Sequence, residues 1–146
     1  MEKVLPPEKY EGLAALLNSE HETPLYGGSD VLFYRTGEDK FKALYSAVKE
    51  AKEHIHIQYY IFMDDDLGTH FADLLIQKAK EGVEVRLIYD DVGAWKVKRK
   101  FFDNREANGV EVQPFLRVKF RWLTSRVNYR NHRKVVVIDG GIGFMG

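Results

Sequence analysis

Cysteine is missing from this 146-residue sequence. Disulfide bridges and thiolate metal sites are therefore excluded, and cysteine usage says nothing of the redox compartment. No apolar run approaches the length of a membrane-crossing helix, and no secretory leader opens the chain. As written, the sequence reads as that of a soluble protein. A net charge is missing too, because 22 Lys and Arg balance 22 Asp and Glu. Apolar residues make up 45%, so this is not the composition of a disordered segment.

What is present begins with length. A chain of 146 residues is expected to form one domain and can bury a substantial core. The zero net charge hides a division. Residues 1–94 carry 10 Lys and Arg against 18 Asp and Glu, whereas residues 95–146 carry 12 against 4. Charge separated this way points to an anionic partner for the basic part. The plainer reading is that helices on opposite faces differ in surface charge.

Residues 1–23 read as a polar arm with one short helix. In PPEKYEGLAALLNSE the prolines stand where a helix can start, and Leu13, Leu16 and Leu17 follow at helical spacing. Residues 24–146 read as the main body. TPLYGGSDVLFYRTGED predicts two short strands broken at Gly27-Gly28. EDKFKALYSAVKEAKE predicts a helix with Phe41, Leu44, Tyr45, Val48 and Ala51 on one stripe. HIHIQYYIF predicts a strand with Ile55, Ile57, Tyr59 and Ile61 on one face. DDDLGTHFADLLIQKAKEG predicts a helix that an aspartate caps and Gly82 ends.

VEVRLIYDD then reads as a strand, AWKVKRKFFDNREANG as a helix closed by Asn108-Gly109, and VEVQPF as a short strand. LRVKFRWLTSRVNYRN has no clear period and reads as a loop with extended pieces. RKVVVIDG is a strand, and GIGFMG begins another. The alternation β-α-β-α-β-α-β implies an α/β domain with a mainly parallel sheet and helices on both faces.

NHRKVVVIDG raises a chemical question. Residues two apart in a strand share a face, so His132 and Lys134 project together. Val136 and Ile138 continue that face into the core, and Asp139 lies on the opposite face at the far end. A strand end bathed in solvent is the plainer reading. A phosphate site is the sharper one. An ammonium places a point charge on a phosphate oxygen. An imidazole attacks phosphorus or donates a proton to a leaving oxygen.

His132-x-Lys134-x4-Asp139 matches the HxKxxxxD core of the phospholipase D superfamily. PLYGGSDV, HIHIQYYIFMDDDLG, KEGVEVRLIYDDVG and NYRNHRKVVVIDGGIGFMG resemble successive blocks of bacterial cardiolipin synthases, across roughly residues 24–146. The resemblance implies a phospholipase D-like half-domain. It also implies phosphatidyl transfer between two phosphatidylglycerol molecules, giving cardiolipin and glycerol through a phosphohistidine. Such enzymes set two HxKxxxxD motifs across one active site. One histidine attacks the phosphodiester. The other protonates the leaving glycerol and then deprotonates the incoming alcohol, while the lysines stabilise the phosphoryl oxygens.

Carried over, His132 is the motif's histidine, Lys134 its lysine and Asp139 its aspartate. The aspartate is expected to orient the motif through hydrogen bonds or an ion pair. Arg130 and Asn131, just ahead of the motif, and Asp90 and Asp91, at the carboxyl end of a strand, are candidate substrate contacts. No metal or cofactor is implied. The family's second motif, and its glycine-Ser/Gly-x-Asn segment, are not in this sequence. The chain is thus expected to match the first part of one catalytic half and to be inactive alone. A homodimer would bring two copies of His132 together, but the missing glycine-Ser/Gly-x-Asn segment argues against a working site there; open strand edges would favour self-association.

FLRVKFRWLTSRVNYR interleaves aromatic and basic residues. Contact with anionic lipid is expected there, through Phe120, Arg121, Trp122 and Arg126. Packing against the other catalytic half is the plainer alternative, and a nucleic-acid partner is not expected. Asp64, Asp65 and Asp66 read as a turn and helix cap rather than a metal cluster. His54 and His56 read as polar-face residues, and His70 lacks the spaced partner of a zinc site.

The resemblance places the parent enzyme at the bacterial cytoplasmic membrane. Two other readings stand beside it. One is another phospholipase D superfamily phosphodiesterase: a phospholipid hydrolase, a phosphatidylserine synthase or a nuclease. The other is a non-catalytic module, against which the intact His-Lys-Asp set argues.

Overall fold

A computed structural model describes residues 5–21, 26–118, 130 and 132–146. They belong to two compact units, Met1–Arg35 and Thr36–Gly146. In the first unit a 3-10 turn, Glu8–Tyr10, leads into helix α1, Glu11–His21. Pro7 closes that turn by accepting from Tyr10 N at 2.8 Å. Leu13, Leu16 and Leu17 lie on α1 at the expected spacing and are exposed. Of the two strands expected here, the first falls largely on residues 22–25, which lie outside the described residues, and among residues 26–35 no strand forms. Tyr26 makes an isolated bridge, and residues 27–35 are irregular, with Val31, Leu32 and Phe33 exposed.

The second unit is built on a five-stranded sheet in the order β3-β2-β1-β4-β5. Its elements are α2 (Gly37–Glu50), β1 (His54–Tyr59), α3 (Asp66–Lys80), β2 (Glu84–Asp90), α4 (Arg99–Glu106), β3 (Glu111–Phe115), β4 (Lys134–Ile138) and β5 (Ile142–Met145). β1, β2 and β3 pair in parallel, as the strand–helix alternation requires. β4 adds to the free edge of β1 antiparallel, and β5 pairs antiparallel with β4. The α/β class holds, and the sheet is mixed. β3 is an edge strand, which is why Pro114 fits within it.

Alternation fixes the faces. Ile55, Ile57, Val85, Leu87, Tyr89, Val112, Val136, Ile138 and Phe144 are buried on one face. Leu44, Val48, Phe71, Leu75 and Phe102 cover it from the helices. The Tyr89 and Phe102 rings stack at 3.8 Å, which ties α4 to β2. Burying each such side chain contributes roughly 1.5–3 kcal/mol.

Helices were expected on both faces; within residues 36–146 those described take one. The parallel strands are laid down in one direction, β1 to β2 to β3, and right-handed crossovers then put α3 and α4 on the same side. The opposite face carries His56, Glu84, Arg86, Ile88 and Glu111, joined by exposed pairs such as His56 Nε2–Glu84 Oε1 at 2.8 Å. Exposed pairs of this kind contribute little to stability.

Two junctions repeat one device. After α3, Gly82 has φ +92° and its N–H donates to Ala79 O, while Val83 N donates to Lys78 O. After α4, Gly109 has φ +90°, with Gly109 N to Glu106 O and Val110 N to Arg105 O. This is the glycine-closed helix end behind the similar phrases EGVEV and NGVEV. α4 is shorter than AWKVKRKFFDNREANG suggested, because residues 91–97 form turns instead.

Candidate active site

The antiparallel direction of β4 decides where the motif sits. Lys134 opens β4 opposite Tyr59, the last residue of β1. The start of β4 therefore lies beside the carboxyl ends of β1, β2 and β3, the side on which α/β sheets bind ligands. His132 is exposed, two residues ahead of Lys134. Lys134 Nζ folds back to within 3.4 Å of His132 O. His132 thus precedes the strand, and it is the histidine's backbone carbonyl that the lysine's ammonium meets.

Tyr60 holds the imidazole. Its ring and that of His132 stack at 4.1 Å with planes 15° apart. Stacking restricts the imidazole to one plane and leaves its nitrogen-bearing edge free to react. Tyr60 is in turn held by Gly93. A Cβ at position 93 would run into the carbonyl oxygen of Tyr60 and lie 3.3 Å from its ring. Only glycine admits this approach without displacing Tyr60.

Gly93 belongs to a turn that Asp90 organises. The Asp90 carboxylate, on a residue only 2% exposed, accepts from Val92 N at 2.9 Å and Gly93 N at 3.0 Å. Arg130 reaches the same oxygen at 3.5 Å and Leu116 O at 3.3 Å. Asp91 accepts from Val118 N at 2.9 Å. Asp90, Asp91 and Arg130, three candidate substrate contacts, are thus held in the loops that brace Tyr60. Asn131, Phe120, Arg121, Trp122 and Arg126 lie outside the described residues.

Asp139 stands at the other end of β4, roughly 16 Å from Lys134 at the rise of a strand. Its carboxylate accepts three backbone N–H groups, from Lys52, Glu53 and His54, each at 2.9 Å. Those bonds hold the charged form and pull its pKa below the usual carboxylate value. Asp139 N also donates to His54 O at 3.0 Å. The motif aspartate therefore clamps the amino end of β1, where its neighbour β4 turns.

That turn explains the residue type. Asp139 and Gly140 have φ +49° and +64°, and Gly141 N donates to Ile138 O. An Asp-Gly pair with both φ positive is the tight hairpin turn that matches strand twist.

The remaining candidates fall outside this cluster. Asp65 caps α3, accepting from Gly68 N at 2.8 Å. His70 meets the Tyr45 ring edge-on at 5.1 Å. His54 and His56 lie together on the polar face of β1, their rings 4.7 Å apart. A shallow groove of about 700 Å³ crosses that open face and reaches Lys134, but His132 is not among its lining. Sequence reasoning missed Tyr60 and Gly93. A signal existed for Tyr60, since it directly follows a parallel strand at its carboxyl end, where site residues gather.

A sheet whose antiparallel β4 delivers a His-Lys pair to the carboxyl ends of parallel strands defines a phospholipase D-like domain. NucT from Helicobacter pylori has this fold, with a TM-score of 0.56 and 24% identity over 75% of this chain and 65% of that one. The chain belongs to the family described as cardiolipin synthase, PLD-like domain, whose model matches residues 44–146. It is 51% identical to cardiolipin synthase 2 of Bacillus cereus over 110 residues, which are 75% of this chain and 21% of that protein. It is 50% identical to the major cardiolipin synthase ClsA of Bacillus subtilis over 110 residues, 75% of this chain and 23% of that protein. The chain thus spans about a fifth of the length of these relatives.

Proposed function

We propose that this chain is part of a phosphatidyltransferase that converts two phosphatidylglycerol molecules into cardiolipin and glycerol. One observation carries the reading. His132 and Lys134 share the end of a rigid strand, and neither is ion-paired to a carboxylate among the described residues, in a chain of the cardiolipin synthase family. An anionic phosphodiester fits that end.

The chemistry needs two imidazoles. One forms a bond to phosphorus while the glycerol oxygen leaves, taking a proton from the other. The second imidazole then removes a proton from the hydroxyl of the second phosphatidylglycerol. That oxygen bonds to phosphorus, the nitrogen–phosphorus bond breaks, and the first imidazole is released. His132 is one of the two. The other comes from a second HxKxxxxD, in a longer parent chain or a partner copy, so the chain by itself turns over no substrate. Lys134 stabilises charge on the non-bridging phosphoryl oxygens.

The enzyme works at the bacterial cytoplasmic membrane, with Phe120, Arg121, Trp122 and Arg126 meeting anionic lipid. Among the described residues no helix is long and apolar enough to cross a membrane.

A chimera tests the reading. Residues 36–146 replace the matching segment of the Bacillus subtilis synthase, and cardiolipin formation from phosphatidylglycerol vesicles is followed by mass spectrometry. The chimera makes cardiolipin and releases glycerol, and His132→Ala abolishes both. A folded chimera that only hydrolyses the lipid to phosphatidic acid would refute the proposal.

A further inference from the structure

We propose that Lys40, on α2, is a second cationic contact for the phosphate group that His132 and Lys134 serve. The inference rests on the phosphodiester reading above and extends it to a residue outside the motif. Lys40 occupies the first turn of α2, where the helix dipole disfavours a cation. Its neighbours Glu38 and Asp39 suit that turn, and Asp39 is bound to Thr36 through its carboxylate at 2.7 Å and its N–H at 3.1 Å. The Lys40 side chain takes no part in this cap, although its N–H donates to Thr36 O at 3.3 Å.

The Lys40 side chain instead runs inward, half-buried, until Nζ touches Gly146. A Cβ on Gly146 would collide with it. Gly146 N donates to Lys134 O at 3.0 Å, so the Lys40 ammonium arrives beside the first residue of β4. Among the described residues no Asp or Glu side chain pairs with Lys40 or Lys134. Burial, and then the charge of Lys134, pull the Lys40 pKa below its usual value.

Two ammonium groups near each other at the start of β4 repel. A dianionic or monoanionic phosphate between them removes the repulsion and gains two charge-assisted hydrogen bonds. Lysine suits this task as a compact point charge on a flexible stem. A packing role for the Lys40 stem alone would place no charge at β4.

NMR of the 146-residue chain labelled at lysine Cε tests the proposal, with inorganic phosphate and then dihexanoyl phosphatidylglycerol as probes. The Lys40 and Lys134 signals should move together and saturate at one apparent Kd, with exposed Lys42 unmoved. Lys40→Met should weaken phosphate binding roughly tenfold, while Lys40→Arg retains most of it. Equal thermal midpoints of the variants separate this from misfolding. If Lys134 responds and Lys40 does not, or if Lys40→Met binds as tightly as the parent chain, Lys40 is not a contact. If neither lysine responds to either probe, the phosphodiester reading itself fails along with it. A response to the lipid alone locates the contact at a headgroup, and a response to both at any accessible phosphate; either outcome supports Lys40 as a contact.

Discussion

The two ends of β4 are opposites. At Asp139 the carboxylate accepts three backbone N–H groups and sits in a hairpin turn that closes on itself. At His132 and Lys134 the side chains have no carboxylate partner among the described residues, and the imidazole stacks on Tyr60. One end is closed by hydrogen bonds and the other presents an imidazole and an ammonium. The HxKxxxxD spacing is then the length of one strand, with an anchor at its end and, in the proposed function, the chemistry at its beginning. The four residues between Lys134 and Asp139 are needed as a rigid mount, and Val136 and Ile138 supply it by being fully buried.

Changes at the open end should alter chemistry and leave the fold intact. His132→Ala in the chimeric synthase should cut transfer by about 1,000-fold or more, with an unchanged melting midpoint. Behind that end lies the brace. Gly93→Ala forces a methyl group against the Tyr60 backbone and should cost about 2 kcal/mol by urea unfolding. Tyr60→Ala should lower the maximal rate about tenfold with little change in KM, while Tyr60→Phe keeps the stack and the rate. The upfield ring-current shift of the His132 carbon-bound protons should vanish in Tyr60→Ala and persist in Tyr60→Phe. A shift that survives in Tyr60→Ala would remove the stack from the account.

The closed end should respond in the reverse sense. Asp139→Asn should lower the melting midpoint by about 5 °C at neutral pH. The folded-state pKa of Asp139 is depressed, so its contribution is fully present above the ordinary carboxylate value of 3.8 and fades as pH falls through the lower folded value. The difference between parent and Asp139→Asn should therefore shrink as acid protonates the parent's carboxylate. A difference that stays constant below pH 3 would show that the three N–H bonds do not depend on the charge.

Much of this was legible because β-strand parity is strict. Lys134, Val136 and Ile138 had to share a face once the strand was recognised, and they do, whereas His132 lies two residues ahead of the strand. The helix ends at Gly82 and Gly109 were equally readable, since the left-handed conformation leaves little choice of residue. The direction of β4 was not. The segment before it has no period, and nothing local says whether a strand enters a sheet up or down. With that direction unknown, the placement of the motif beside Tyr60, and of Asp139 beneath residues 52–54, could not be drawn. Asp90 and Asp91 looked like site residues because carboxylates at strand ends often are. Their oxygens hold backbone N–H groups, a use that depends on loop geometry no pattern encodes.

The central claim is that the two ends of the motif do separable work. The direct measurement is the transfer rate of the chimeric synthase carrying His132→Ala or Asp139→Asn, taken well below both melting midpoints and normalised to folded protein. The account predicts no measurable transfer for His132→Ala and a rate within about threefold of the parent for Asp139→Asn, because a residue that acts only as an anchor leaves the reacting groups in place once the fold is intact. A folded Asp139→Asn enzyme as inactive as His132→Ala would contradict it.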